Sequence, residues 1–316
     1  MTEKKFFYNI NFNIERDKEL CDLEMKYIFG YIPDKYRYVL SDIDTNPSRS
    51  PYIKEKISID YWASSLEELV NKINNSKLLF ENFKVIYIKS NNNDVSYEER
   101  LKAVKTVAKS ISGIANIKNP EVVFGISYIN SKWIFGTYEK NDCKWHNHDK
   151  RPYSYSNALT LTIAKAIVNI AIGNNYNKTL VDPCCGVGTV VVEALDLGVN
   201  IKGYEINPLI ANNAKRNLEF FGFENCIEEK DMHNIKEKFD VAILDMPYDL
   251  FTSCSLLEQN NLIKSVYDIA NELIIVTIKD MDEELQKVGF KIVDKCSVSK
   301  NQFKRYITVC KKDIFV

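Results

Sequence analysis

Histidine is scarce, with 3 in the chain, and the 8 cysteines are scattered without paired spacings. A zinc ribbon or a secreted disulfide scaffold needs such pairs, so both are excluded. Long apolar runs are lacking as well. The longest, residues 158–172, is too short for a bilayer and is interrupted by Lys165. The N-terminal stretch Met1-Thr2-Glu3-Lys4-Lys5-Phe6-Phe7 has no signal-peptide core, so the expected compartment is the cytoplasm, with no membrane partner. An excess of one charge is also missing: 42 Lys and Arg against 43 Asp and Glu leave −1. A small protein held on nucleic acid by phosphate contacts is usually strongly basic. Polynucleotide contact here must use local patches, and the basic stretches are 102–118 and 300–312. At 316 residues, 45% hydrophobic and 27% charged, the chain can bury two or three cores and is no disordered sequence.

The first 92 residues alternate short elements. Phe6–Phe12 reads as a strand and Asp17–Phe29 as an amphipathic helix, with Leu20, Leu23, Tyr27 and Ile28 on one face. Tyr36–Leu40 and Ile57–Trp62 read as strands, Ser65 and Glu68 as a capping box, and Phe83–Ile88 as a closing strand. That β-α-β-β-α-β order predicts a ferredoxin-like α+β domain over 1–92. Residues 93–145 follow, with a helix from Tyr97 to Ile114 and a hairpin of Val122–Tyr128 and Trp133–Tyr138. Lys102, Lys105 and Lys109 share a helix face, read as solvated or as phosphate-binding. The stretch 146–155 is expected to be a linker. Cys143, His146 and His148, in the polar run 139–152, could bind zinc but are read as solvated, and no metal is expected. From 156 to 316 strands and helices alternate. They predict a doubly wound α/β domain with a mostly parallel sheet and a C-terminal antiparallel hairpin.

The chemistry gathers at the strand ends of that domain. Val181-Asp182-Pro183-Cys184-Cys185-Gly186-Val187-Gly188-Thr189 joins its first strand to the next helix. Gly186 and Gly188 allow a tight turn and close approach of a ligand to bare backbone. Val191 occupies the place of the third glycine of a dinucleotide fingerprint, and Asp182 would repel a pyrophosphate. A carboxylate there suits a ligand carrying an ammonium and a sulfonium, such as S-adenosylmethionine. The second strand ends in Gly203-Tyr204-Glu205-Ile206-Asn207-Pro208, where Glu205 can accept from both ribose hydroxyls. After the third, Asp231 is placed to accept from an adenine amino group, with Met232 against the ring. Cys184 and Cys185 are read as packing beneath the ligand, and His233 as a loop histidine.

The fourth strand, Val241–Leu244, runs into Asp245-Met246-Pro247-Tyr248. Here the chain resembles class I methyltransferases that modify exocyclic amines through an Asn/Asp-Pro-Pro-Tyr motif. It looks most like the THUMP-containing tRNA guanosine-N2 methyltransferases and their bacterial relatives, the RNA methylases. The resemblance runs from Arg151-Pro152-Tyr153-Ser154-Tyr155-Ser156 to Tyr248, with Met246 standing where the motif has its first proline. It implies a Rossmann-like methyltransferase domain over 156–316 and a shortened THUMP-like RNA-binding region over 93–145. The implied cofactor is S-adenosylmethionine. Its candidate contacts are Asp182, Pro183, Cys184, Gly186, Gly188, Thr189, Glu205, Ile206, Asn207, Asp231, Met232, Asp245 and Ser156. The implied substrate is tRNA, at guanine N2 and at position ten.

A base amine is a poor nucleophile because its lone pair is delocalised into the ring. Acceptors aimed at its hydrogens favour pyramidal nitrogen and stabilise the developing positive charge. Asp245 would supply one acceptor and the Met246 carbonyl the other, with Tyr248 stacked on the base and Pro247 fixing φ. Adenine N6 or cytosine N4 of DNA and a glutamine side chain of a protein pose the same nitrogen problem. A non-catalytic RNA-binding protein is the alternative of another class. Lys300, Lys304 and Arg305 of the C-terminal hairpin are candidates for RNA contact, and the sequence leaves the oligomeric state open.

Overall fold

The strands of the first 145 residues join one sheet, and that sheet differs from the expected one. A computed structural model describes residues 4–33, 37–90, 95–155, 158–247, 255–300 and 303–313. It divides into two units, Met1–Asn11 with Ile32–Asp142, and Phe12–Tyr31 with Cys143–Val316. In chain order the elements begin with β1 (Lys5–Ile10), α1 (Lys18–Phe29), β2 (Tyr38–Ser41), β3 (Ile53–Ala63) and α2 (Leu66–Ser76). Then come β4 (Leu79–Tyr87), α3 (Tyr97–Lys109), β5 (Ser112–Ala115), β6 (Val122–Ile129) and β7 (Lys132–Lys140).

The first unit holds a seven-stranded sheet in the order β2-β1-β3-β7-β6-β4-β5. A ferredoxin-like unit needs β1 and β2 parallel across a helix. Here β1 pairs directly with β2 and runs antiparallel to it. Its helix is elsewhere: α1 buries Leu20, Leu23, Met25 and Ile28 and belongs to the second unit. The apolar stripe of α1 was legible, but not the surface that it covers. Strand β4 pairs in parallel with both β5 and β6, so residues on either side of position 92 share this sheet. The helix expected to reach Ile114 stops at Lys109. Gly113 takes φ +122° against the Phe80 backbone, where a Cβ would lie 1.8 Å from the Phe80 carbonyl oxygen, and draws 112–115 into the sheet edge. Leu69, Ile73, Phe83, Val107, Phe124 and Phe135 form the main core under α2 and α3, each large side chain contributing roughly 1.5–3 kcal/mol by burial.

The second unit continues with α4 (Leu161–Ile172), β8 (Leu180–Asp182), α5 (Thr189–Asp196), β9 (Ile201–Glu205), α6 (Pro208–Phe220), β10 (Ile227–Glu229) and β11 (Phe239–Asp245). It ends with α7 (Leu256–Ile269), β12 (Ala270–Thr277), α8 (Asp282–Val288), β13 (Phe290–Lys300) and β14 (Phe303–Lys312). The sheet order is β10-β9-β8-β11-β12-β14-β13. Strands β8 to β12 are parallel, β14 runs antiparallel to β12, and β13 and β14 form the expected hairpin. The order turns back between β8 and β11, and at such a switch point the carboxyl ends of parallel strands open a crevice. Among the described residues no helix is long and apolar enough to cross a membrane.

The stretch read as a solvated linker is partly buried. Residues 144–150 form a 3-10 helix with Trp145 and His148 inside. His148 Nδ1 lies 2.7 Å from Glu193 Oε1, and the fully buried Lys165 pairs with Glu193 at 3.3 Å and Asp196 at 3.2 Å. Of the segment's polar residues His148 joins this ion cluster, while Cys143 and His146 are exposed. His148, Glu193 and Asp196 have ligand-type atoms within 4.8 Å of one another, and the Lys165 ammonium is shared between the two carboxylates.

Candidate active site

Four strand ends meet around one cavity. Short apolar strands carry their last residue out of the core, so the polar residue that stops each strand faces the crevice. Asp182 ends β8, Glu205 ends β9, Asp231 follows β10, and Asp245 ends β11. All four line a cavity of about 560 Å³. Pro183, Cys184, Gly186, Thr189, Ile206, Met232, Met246 and Pro247 line it too. Of the other sequence-predicted residues, Gly188 is the N-cap of α5 at φ +83° and Asn207 caps α6, its side chain accepting from Leu209 and Ile210. Ser156 and Tyr248 lie outside the described residues.

The carboxylates are held in different ways. Glu205 accepts from the Gly186 amide at 3.1 Å on one oxygen and from the Asn207 amide at 2.8 Å on the other. Gly186 has φ +53° and open space where a Cβ would stand, so the loop can turn its N–H to Glu205 and leave its other side bare. Asp182 is buried and accepts from the Cys184 amide at 3.3 Å. Burial pushes its carboxyl well above the usual range, and the nearby Asp245 and Glu205 charges push the same way. Asp231 accepts from the His233 amide at 2.9 Å and faces its ring Nδ1 at 2.6 Å, contacts that hold its carboxyl low.

This charge pattern selects a ligand. A site with buried Asp182 beside Glu205 and Asp245 repels anions and favours a cation. Thr189 Oγ1, at the start of α5, is buried in the cavity wall with no hydrogen-bond partner among the described residues. A buried hydroxyl without a partner is costly, and a polar ligand would satisfy it. S-adenosylmethionine brings an ammonium, a sulfonium, a ribose diol and an adenine amine, and these residues fit it.

Residues 148–268 match the UPF0020 family model, described as an RMKL-like methyltransferase domain. The chain carries a methyltransferase domain. Among curated proteins it is similar to the tRNA (guanine(10)-N2)-dimethyltransferase of Methanothermobacter thermautotrophicus, 24% identical over 217 residues. That match covers 66% of this chain and 64% of the relative. The enzyme of the same name from Pyrococcus abyssi is 26% identical over 213 residues, covering 60% and 64%. The chain thus spans under two thirds of the length of these relatives. The crystal structure of TrmN from Thermus thermophilus covers 98% of this chain and 99% of its own, at 12% identity and a TM-score of 0.49.

Several wall residues of the methyltransferase domain carry no signal in the sequence. Ala158 and Leu159, ahead of α4, and Glu258 and Leu262, on α7, line the cavity, as does Tyr155, which belongs to the 151–156 run of the resemblance but carries no role assigned from it. Glu258 is disguised by its capping box with Ser255, which explains its residue type without reference to a site. His233, read as a loop residue, lines the cavity while bonded to Asp231. Cys184 and Cys185 are wall residues whose thiols burial pushes up, which disfavours the thiolate form. Lys304 is not in this wall. Glu205→Ala is expected to weaken S-adenosylmethionine binding about 10- to 100-fold, the worth of losing a charged acceptor. Isothermal titration checks this, and unchanged affinity would contradict the ribose role.

Proposed function

We propose that this chain transfers a methyl group from S-adenosylmethionine to an exocyclic amine of a nucleobase in RNA, guanine N2 of tRNA being the favoured acceptor and position ten the favoured site. The observation that carries the reading is the entry of Asp245, Met246 and Pro247 into the same cavity as Asp182, Glu205 and Asp231. The bound cofactor supplies an electrophilic methyl carbon. The chain's own groups hold and orient it: Glu205 takes the ribose, Asp231 the adenine amine, and Asp182 the positively charged end. Asp245 and the Met246 carbonyl accept the two amine hydrogens, which raises nitrogen nucleophilicity and stabilises its developing charge. Met246 suits this despite replacing a proline, because the group needed is backbone. Its side chain is 2% exposed and its amide donates to the Val276 carbonyl at 3.0 Å, which anchors the turn. Asp245 then holds the released proton or passes it to water.

In this reading the protein acts in the cytoplasm, and residues 93–145 serve as the THUMP-like tRNA contact. The exposed Lys102, Lys105 and Lys109 of α3 supply phosphate partners, and the target base leaves its stack to reach Asp245. The direct test incubates the protein with labelled S-adenosylmethionine and unmodified tRNA and identifies the product nucleoside by mass spectrometry. N2-methylguanosine or its dimethyl form is expected. Methyladenosine would reject the acceptor and keep the class, and no transfer to RNA would reject the reading. Lys300, Lys304 and Arg305 are assigned to the RNA footprint. Replacing all three with glutamate is expected to weaken tRNA binding at least tenfold at low salt by filter binding, since each lost phosphate contact also lowers the salt slope by about one. An unchanged affinity would remove them from the footprint.

A further inference from the structure

Asn217 is fully buried on the last turn of α6, and nothing in the reaction described above uses it. Its amide is nonetheless fully committed to two segments of the cavity wall. Oδ1 accepts from the Tyr153 backbone N–H at 3.0 Å, and Nδ2 donates to the Tyr153 carbonyl at 2.9 Å. The second hydrogen of Nδ2 goes to the carbonyl of Val187 at 2.9 Å, inside the glycine loop. One side chain thus pairs with both backbone groups of Tyr153, as a neighbouring strand would, and ties that residue to the cofactor loop. The preceding residue adds a second grip. Arg216 Nη1 donates to the Tyr153 hydroxyl at 2.8 Å, and its guanidinium lies 5.8 Å from the centre of the ring.

Two residues past this clamp stands Tyr155, 46% exposed and lining the cavity. No helix or strand holds residues 151–155, so the segment has no ladder of its own to fix it. A buried amide with its oxygen and both its hydrogens paired is strongly directional, and losing it leaves buried and part-buried backbone groups unpaired. We infer that Asn217 is a positioning residue for the cofactor site: it locks the segment ahead of α4 to the glycine loop and so sets Tyr155 as a wall against the bound S-adenosylmethionine. The inference rests on the methyltransferase reading above and adds to it a residue that acts through Tyr155 without touching the ligand.

The test is a double-mutant cycle on S-adenosylmethionine affinity, measured by isothermal titration with the melting temperature read alongside. Asn217→Ala and Tyr155→Ala are each expected to weaken binding about tenfold. The double variant is expected to lose little more than either alone, because both changes remove the same wall. A merely structural role would lower the melting temperature and leave the two losses multiplicative, and that result would overturn the inference. So would wild-type affinity in folded Asn217→Ala. If that variant does not fold, hydrogen exchange in the wild type decides: strong protection of the Tyr153 amide, increased by S-adenosylmethionine, is expected, and fast exchange in the presence of ligand would overturn it. Absence of binding by the wild-type protein would instead defeat the methyltransferase reading, and this inference with it.

Discussion

Asp245→Ala is expected to cut methyl transfer by about 10²–10⁴ in turnover while leaving S-adenosylmethionine affinity within a few-fold of wild type. In the proposed reaction Asp245 addresses the acceptor nitrogen, and its interaction is worth most when charge develops there. A group that acts in the transition state lowers turnover when removed, without a matching loss in ground-state binding. Its neighbourhood supports the split. The Asp245 charge is one of those pushing the Asp182 carboxyl up, so its removal eases ionisation of the residue proposed to meet the cationic end of the cofactor. Turnover with labelled cofactor and tRNA, paired with calorimetry, measures both halves. Near-normal turnover would sink the assigned role. A large loss of binding would reassign Asp245 to the cofactor.

Asp182→Asn is expected to act in opposite directions on stability and on binding. Asn keeps an oxygen for the Cys184 amide that Asp182 now accepts from, but it removes a buried carboxylate that burial and two neighbouring acids already disfavour. A carboxyl raised in the folded state costs stability as pH climbs from its unfolded pKa to its raised folded value, because the unfolded chain ionises first. Below that window the variant and the wild type should melt alike. Above it the variant should melt higher, each kcal/mol relieved giving ~2–4 °C. Binding runs the other way. Loss of the charge should weaken S-adenosylmethionine about 10- to 100-fold. For the wild type, affinity should fall as pH drops through the raised pKa of Asp182, because the cation then competes with a proton. Melting curves across pH and calorimetry in two buffers of different ionisation enthalpy check both parts. A variant that binds normally, or a wild type that releases no proton on binding, would remove Asp182 from the cationic end.

The methyltransferase domain was largely legible because its signals are local. Strands β8, β9 and β11 each end in an acid, Asp231 follows β10, and the glycine loop and the Asp-Met-Pro turn are short runs of neighbours. The alternation of strands and helices implied a mostly parallel sheet, while the order of its strands came from the structure. The first unit was less legible. Its strands other than β5 were visible one by one, but β5 reads as helix and the pairing depends on contacts between distant residues, such as Gly113 against Phe80. Helix α1 shows the same limit: amphipathicity says that a face is buried, without naming the surface that buries it. His148 in a polar stretch looks solvated until Glu193, forty-five residues away, is found 2.7 Å from its ring.

From the sequence by itself came the four acids at four strand ends, the glycine loop between β8 and α5, and the Asp-Met-Pro turn. Each is a run of a few residues whose chemistry depends on its own backbone. Only the tertiary structure decided that these runs share one cavity, that Asp182 is buried beside Glu205 and Asp245, which pushes its carboxyl up, and that α1 belongs to the second unit. It alone showed Asn217 clamping Tyr153 to the glycine loop. The physical reason is common to all of these. Desolvation, charge–charge coupling and side-chain packing act between residues far apart in the chain, and a pattern of neighbours carries no record of them.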